Sequence, residues 1–319
     1  MLGVGLMFVT LGSSAHAVTT NLFSTQFEAS ESYSSSLDLA GQQGWAKEGS
    51  GGNGVVVSGL QGQSAYIGFA PPNLVDDSLV LWRPINVNPV VAGFPLVKFS
   101  VLLNIIDSSN GRYDIFRWSV YNQQLNRLFS IDFDNDYLDV SYRLDGTNST
   151  FFTNIPITNN SNYLMQVTMN FAANRWSATL NNVLIATNQP MTTVNASLTL
   201  ADIDAVWLVN QVGFTNTQGQ VNYTNAPGNN YLLFDNYQIT AESIVIPPTQ
   251  VRFLGRTTEG WGLLRVTGAE GGRWAVEGTT NFVNWTALKT NQISGGSFDF
   301  VDTTSGGLAR RYYRARYVP

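Results

Sequence analysis

Four aspartates, Asp132, Asp134, Asp136 and Asp139, crowd one short stretch, Ser130-Ile-Asp-Phe-Asp-Asn-Asp-Tyr-Leu-Asp139. Carboxylates at alternate positions of a strand share one face. That arrangement suits paired acids acting on a glycosidic bond, oxygen ligands to calcium, or acceptors for sugar hydroxyls. Here Phe129, Ile131 and Phe133 take the core face, leaving Ser130, Asp132 and Asp134 on the other. Asn135-Asp136 reads as a two-residue hairpin turn, which sets Asp134 opposite Tyr137, Asp132 opposite Asp139 and Ser130 opposite Ser141. Like charges directly opposite disfavour such a pairing by a fraction of roughly 0.2–1 kcal/mol, so a compensating cation is expected.

The preceding strand offers one. In Tyr113–Tyr121 the apolar set Phe116, Trp118 and Val120 faces the core and leaves Tyr113, Arg117 and Tyr121 beside the aspartates. A row Arg117–Asp132–Asp139 then lies on one sheet face, flanked by Tyr113, Tyr121, Tyr137 and Arg143, with Asp134 at its end. Carboxylates and arginines engage hydroxyls, and tyrosine rings cover the apolar faces of sugars. Two alternatives stay open: a solvated, ion-paired face with no ligand, and calcium held by the aspartates. No glycine stands where a calcium loop would turn. A second candidate calcium site pairs Glu28, near the first strand, with Asp235, at the start of the last. Its alternative is a turn-capping aspartate and an exposed glutamate. No other cofactor is implied.

Many short strands must position these groups. Apolar and polar residues alternate with period two from Val55–Val57 through Leu96–Ile106 and Arg127–Asp134 to Leu232–Ile239, with turn residues between runs and no sustained helical period. The fold class is therefore all-β, a jelly-roll β-sandwich over residues 18–245. A linker at 246–249, Ile246-Pro-Pro-Thr249, leads to a small second sandwich at 250–319. Of the eight tryptophans, Trp118, Trp176 and Trp207 read as core, as do Trp274 and Trp285, while Trp45 and Trp82 are the better candidates for stacking on sugars.

Composition narrows the chemistry. Met1–Val9 is an apolar run and Ala15-His16-Ala17 an A-x-A cleavage pattern, so residues 1–17 are expected to be a signal peptide and the product secreted or on the cell surface. Cleavage removes His16, the only histidine, and the chain has no cysteine. Serine–histidine and cysteine–histidine nucleophiles are thereby excluded, along with zinc sites built on those ligands. Acid–base work would fall to carboxylates, Lys or Tyr. Residues 1–247 carry 8 basic and 17 acidic side chains, whereas residues 248–319 carry 9 and 5. The acidic part argues against nucleic acid as a partner. No later apolar stretch reaches membrane length.

Residues 21–242 resemble the concanavalin-A-like (laminin-G-like) lectin/glucanase domains of secreted bacterial proteins. The likeness rests on Phe27-Glu28, Gly41-Gln-Gln-Gly44-Trp45, Met165–Asn181 with Trp176, and Phe234-Asp-Asn-Tyr-Gln-Ile-Thr240. Residues 250–319 resemble a C-terminal sandwich module of exported Verrucomicrobia-like proteins, through Trp274–Thr286, Phe298-Asp-Phe-Val-Asp302 and Arg311-Tyr-Tyr-Arg-Ala315. Hydrolytic lectin/glucanase relatives carry Glu-x-Asp-x-x-Glu on one strand. That motif is absent here, and no glutamate occurs between Glu48 and Glu242. The resemblance thus implies a non-catalytic protein that binds a polysaccharide or cell-surface glycan. An envelope or matrix assembly protein without a small ligand, and a carboxylate-dependent polysaccharide hydrolase or lyase, remain as alternatives.

Overall fold

A computed structural model describes residues 17–70, 72–73, 76–146, 149–215, 217–243, 249–268 and 273–318. The expected signal segment, apart from Ala17, and the expected linker, apart from Thr249, lie outside the described residues. The chain forms two compact units that divide between Ser243 and Ile244.

The first unit is a jelly-roll sandwich of two large antiparallel sheets, with a separate two-stranded pairing of Gln211–Thr215 and Val221–Asn225. One sheet has seven strands, in the order Phe151–Pro156, Asp139–Leu144, Arg127–Asp134, Ile115–Tyr121, Asp202–Leu208, Ser78–Trp82 and Ala46–Gly49. The other has eight. Seven follow the order Val183–Gln189, Arg175–Leu180, Tyr163–Asn170, Leu96–Ile106, Tyr231–Glu242, Ser64–Gly68 and Asn53–Val56, and Thr19–Thr25 pairs with Tyr231–Glu242. Alternation explains the layering: in Leu96–Ile106, residues Val97, Phe99, Val101, Leu103 and Ile105 are all buried, while Lys98 between them is exposed.

The two inner faces meet through large rings. Phe99 lies 5.3 Å from Trp118 across the sandwich, and Phe129 stacks on Trp176 at 4.0 Å. Burial of this aromatic and aliphatic layer is the main stabilising term. A bulge between Asp235 and Gln238 breaks strict alternation in the last strand of the unit. It lets both Phe234 and Tyr237 face inward, fully buried, and the Tyr237 hydroxyl donates to the Ile203 carbonyl of the opposite sheet at 3.0 Å.

The second unit is a small sandwich of two three-stranded sheets. Gln250–Arg256, Gly262–Thr267 and Ser297–Asp302 form one, and Thr286–Gln292, Arg273–Thr279 and Tyr312–Val318 the other. Leu264, Val266 and Val276 are its buried centre, with Phe298, Phe300 and Tyr313 packed against them. Asp302, 1% exposed, ties the two sheets together: it accepts from Arg311 Nε at 3.1 Å, from the Tyr313 hydroxyl at 3.1 Å and from the Thr304 amide at 2.9 Å. Burial alone would push this carboxyl up, but the Thr304 hydrogen bonds and the Arg311 charge outweigh it and leave it below the usual carboxylate range. Glu277 is held in the same unit by Arg314 and Arg316, at 2.7 and 2.9 Å. Trp274 is buried as expected; Trp285 is not core, lying half-exposed under the Arg314 guanidinium at 4.2 Å.

Candidate functional site: the outer face of the seven-stranded sheet

The hairpin that carries the aspartates is longer than its sequence suggests. Asp134 pairs with Asp139, Asp132 with Ser141 and Ser130 with Arg143. The expected register, with Asp132 opposite Asp139, is therefore wrong by two residues, and the turn holds four residues, Asn135–Leu138. Local chemistry explains the shift. The Asp134 side chain accepts from the amides of Asp136 and Tyr137, at 2.9 and 3.1 Å, and Leu138 takes a left-handed φ of 54°. A shift of two keeps every side chain on its expected face. It moves the like-charged pair to the end of the ladder, where burial and then the Asp134 charge raise the Asp139 carboxyl.

The cation expected beside Asp132 is present. Arg117 lies directly opposite it and grips it with two bonds, Nε to Oδ1 at 2.6 Å and Nη2 to Oδ2 at 2.7 Å. Arg143 adds a third from the far strand, Nε to Oδ2 at 3.1 Å. Asp132 is only 3% exposed, and Arg117 is largely covered as well. Neither terminal nitrogen of Arg143 has an acceptor among the described residues, and about a third of its side chain is exposed. Tyr121 lies on the same face, opposite Asp202 on one side and Arg127 on the other. Tyr113 and Tyr137 do not join the row. Tyr113 precedes the strand, which begins at Ile115, and Tyr137 stands at the turn, 78% exposed.

Two carboxylates that sequence reasoning missed sit on this same face. In Asp202-Ile-Asp204 the two aspartates flank core-facing Ile203, and both are buried. Asp204 pairs with Ser119, Ser119 with Ser130, and Ser130 with Arg143, forming one polar row across four strands. Burial, with the Asp202 charge and hydrogen bond beside it, pushes the Asp204 carboxyl up to about 9. Burial raises Asp202 too. The pair thus holds a proton between its two groups at neutral pH. Burial and then Asp204 also raise the Tyr121 hydroxyl, while burial and then Arg117 lower the Arg127 guanidinium. Among the described residues two further buried atoms on this face have no hydrogen-bond partner, Ser130 Oγ and Arg127 Nε. The Asp-x-Asp spacing inside an apolar run, Asp202-Ile-Asp-Ala-Val-Trp207, is the signal that points to them.

The Glu28–Asp235 pair meets at the turn 61–64. Glu28 Oε1 accepts from the Gln63 amide at 3.1 Å. Asp235, fully buried, accepts from Ser64 Oγ at 3.1 Å and from the Asn236 amide at 2.6 Å. Burial pushes the Asp235 carboxyl up, and the nearby Glu28 charge contributes in the same direction. Among the described residues no group of three acidic, His or Cys side chains is placed to hold a metal ion.

Trp45 is not a platform on the surface. It is 2% exposed, donates from Nε1 to the Tyr33 hydroxyl at 3.1 Å and packs edge-on against Tyr237. Trp82 is half-exposed, while Trp118, Trp176 and Trp207 are core as expected.

No family model and no curated protein matches this chain. Solved structures with a likeness to it include a sialidase (10% identity over 63% of this chain, TM-score 0.43), of which the chain spans only 17%. Others are the cellulose induced protein Cip1 (13% identity, 68% of this chain and 96% of that one, TM-score 0.44) and lectin I from Ulex europaeus in complex with the methyl glycoside of α-L-fucose (9% identity, 71% and 98%, TM-score 0.42). None of these likenesses assigns a ligand or an activity to this chain.

Proposed function

We propose that this chain is an exported, non-catalytic glycan-binding protein whose binding face is the outer surface of the seven-stranded sheet. The observation that carries the reading is the incomplete polar row Asp204–Ser119–Ser130–Arg143. Buried polar atoms in folded proteins are normally paired. Among the described residues Ser130 Oγ and Arg127 Nε are not, and the terminal nitrogens of Arg143, on a side chain about a third exposed, are also without acceptors. The exposed Arg143 nitrogens at the end of the row are free donors for the hydroxyls of a ligand. Arg117 and Asp132 lock the centre of the face, and Tyr121 and half-exposed Trp82 supply ring surface at its flanks.

Binding rather than cleavage is favoured by geometry. A glycosidase acid pair is separated by about 5 Å or more. Asp202 and Asp204 are instead next-but-one neighbours on the same face of one strand and both are buried, so they do not flank an open cleft. The test is a glycan array with residues 18–319, with and without calcium, using the wild type and Arg143→Ala. Binding that weakens in Arg143→Ala supports the proposal. Absence of binding to any polysaccharide under either condition, or binding indifferent to Arg143, refutes it. Loss of binding on calcium removal, reproduced by Asp235→Asn, would assign the Glu28–Asp235 pair to a cation.

A further inference from the structure

The outer face of the other sheet carries a groove of about 530 Å³ along its edge strand, Asn53–Val56. Three rings form one side. Tyr66 and Tyr231 point outward because their neighbours Ala65, Ile67 and Leu232 point into the core. Tyr231 meets Tyr66 at 6.2 Å and Phe69 at 5.7 Å, both edge to face, and Phe69 is 57% exposed. The strand partner of Tyr66 is Gly54, and a Cβ there would come 2.8 Å from the Tyr66 ring. Glycine at this position is what lets the ring lie across the edge strand.

The opposite wall is the segment Ser35–Asp38, and it is braced from beneath. Gln42, 8% exposed, accepts from the Ser34 amide at 2.7 Å and donates to the carbonyls of Ser34 and Asp38 at 3.1 and 2.8 Å. Asp38 is fixed in turn: its Oδ2 receives Lys47 Nζ at 2.8 Å and Asn53 Nδ2 at 3.3 Å. Its Oδ1 takes no hydrogen bond among the described residues. Among the described residues, Asp38 is the only charged one lining the groove.

This combination selects a ligand chemistry. An apolar ligand would strip water from Asp38 without replacing its hydrogen bonds, and with its charge met by Lys47 the carboxylate is left with an acceptor, Oδ1, for a neutral donor. A ligand with C–H faces for the rings and neutral hydroxyls for Asp38 satisfies both walls, and the volume falls in the range of small-molecule sites. We propose that the groove is a second saccharide site, taking neutral pyranosides, on the face of the sandwich opposite the Arg117–Asp132 row. It stands independently of the first site.

The test is isothermal titration of the full mature chain with cellohexaose, laminarihexaose and mannohexaose, comparing wild type, Phe69→Ala, Asp38→Ala and Arg143→Ala. Phe69 and Asp38 are exposed, so unfolding midpoints should not move. We expect at least one of the three sugars to bind with affinity that falls tenfold or more in both Phe69→Ala and Asp38→Ala; a loss seen in Arg143→Ala reads the sheet-face site instead. Affinity that falls only in Arg143→Ala overturns the groove and leaves the sheet-face proposal standing. No binding of any of the three overturns the groove.

Discussion

Arg117 and Asp132 face each other across adjacent central strands and are joined by two nearly parallel hydrogen bonds, with Arg143 closing on the same carboxylate from the other side. Removing one member of a buried ion pair strands the other, at a cost of about 3–5 kcal/mol. Asp132→Ala should therefore lower stability by roughly that amount. Arg143→Ala removes a more exposed partner and should cost no more than about 1 kcal/mol. Urea midpoints of the two variants check this. Equal, small effects would mean that the triad is a solvated surface cluster.

The proton held by Asp202 and Asp204 predicts an unusual pH dependence. Asp204 rises from 3.8 to about 9 on folding, so the native state binds more protons than the unfolded state across that interval. Stability should then fall as pH rises from about 5 to about 9, with a slope approaching about 1.4 kcal/mol per pH unit for one proton. Asp204→Asn keeps a neutral group of the same shape and should flatten the slope. Denaturant midpoints at pH 5, 7 and 9 decide the matter. A wild type whose stability rises with pH over this range would show that other groups dominate.

Much of the strand framework was legible in the residues because one face of each central strand meets the core. Leu96–Ile106 and Arg127–Asp134 follow from alternation alone. Ala46–Gly49, Phe151–Pro156 and Val183–Gln189 do not, because they are edge strands that bury at most two residues each and keep little alternation. The Arg117–Asp132 contact was legible from face matching. Its register with the next strand was not, since the Asx chemistry of Asp134 sets turn length and two-residue patterns cannot report it. Asp202 and Asp204 escaped because charged residues inside an apolar run read as the strand's end, whereas here they are its buried outer face.

Trp45 illustrates a related error and yields a third prediction. Its glycine-rich surroundings resemble a surface loop, yet Gly41 and Gly44, with φ of 95° and 85°, fold the segment so that the indole turns under. It contacts Phe27, Phe234 and Tyr237 at 5.8, 6.1 and 5.3 Å. Trp45→Ala should cost about 3–5 kcal/mol, as large-to-small core changes do. Sugar affinity of the fraction that remains folded should be unchanged. A stable variant with weakened binding would return Trp45 to the role of platform.

The second unit offers a test confined to itself. Asp302 belongs to one three-stranded sheet and Tyr313 to the other, so the carboxylate joins the two layers while Arg311 neutralises it. Asp302→Ala leaves Arg311 and the Tyr313 hydroxyl without this acceptor and should destabilise the unit by about 3 kcal/mol. Because this carboxyl lies below its usual range in the folded state, its contribution is present at neutral pH and is lost on acidification through that lowered value. Calorimetry of the intact chain should show a lowered transition for the small unit and an unmoved one for the jelly roll. The same scan on Asp302→Asn separates charge from hydrogen bonding. An amide that restores most of the loss would show that the Thr304 and Tyr313 hydrogen bonds, and not the Arg311 pair, hold the layers together.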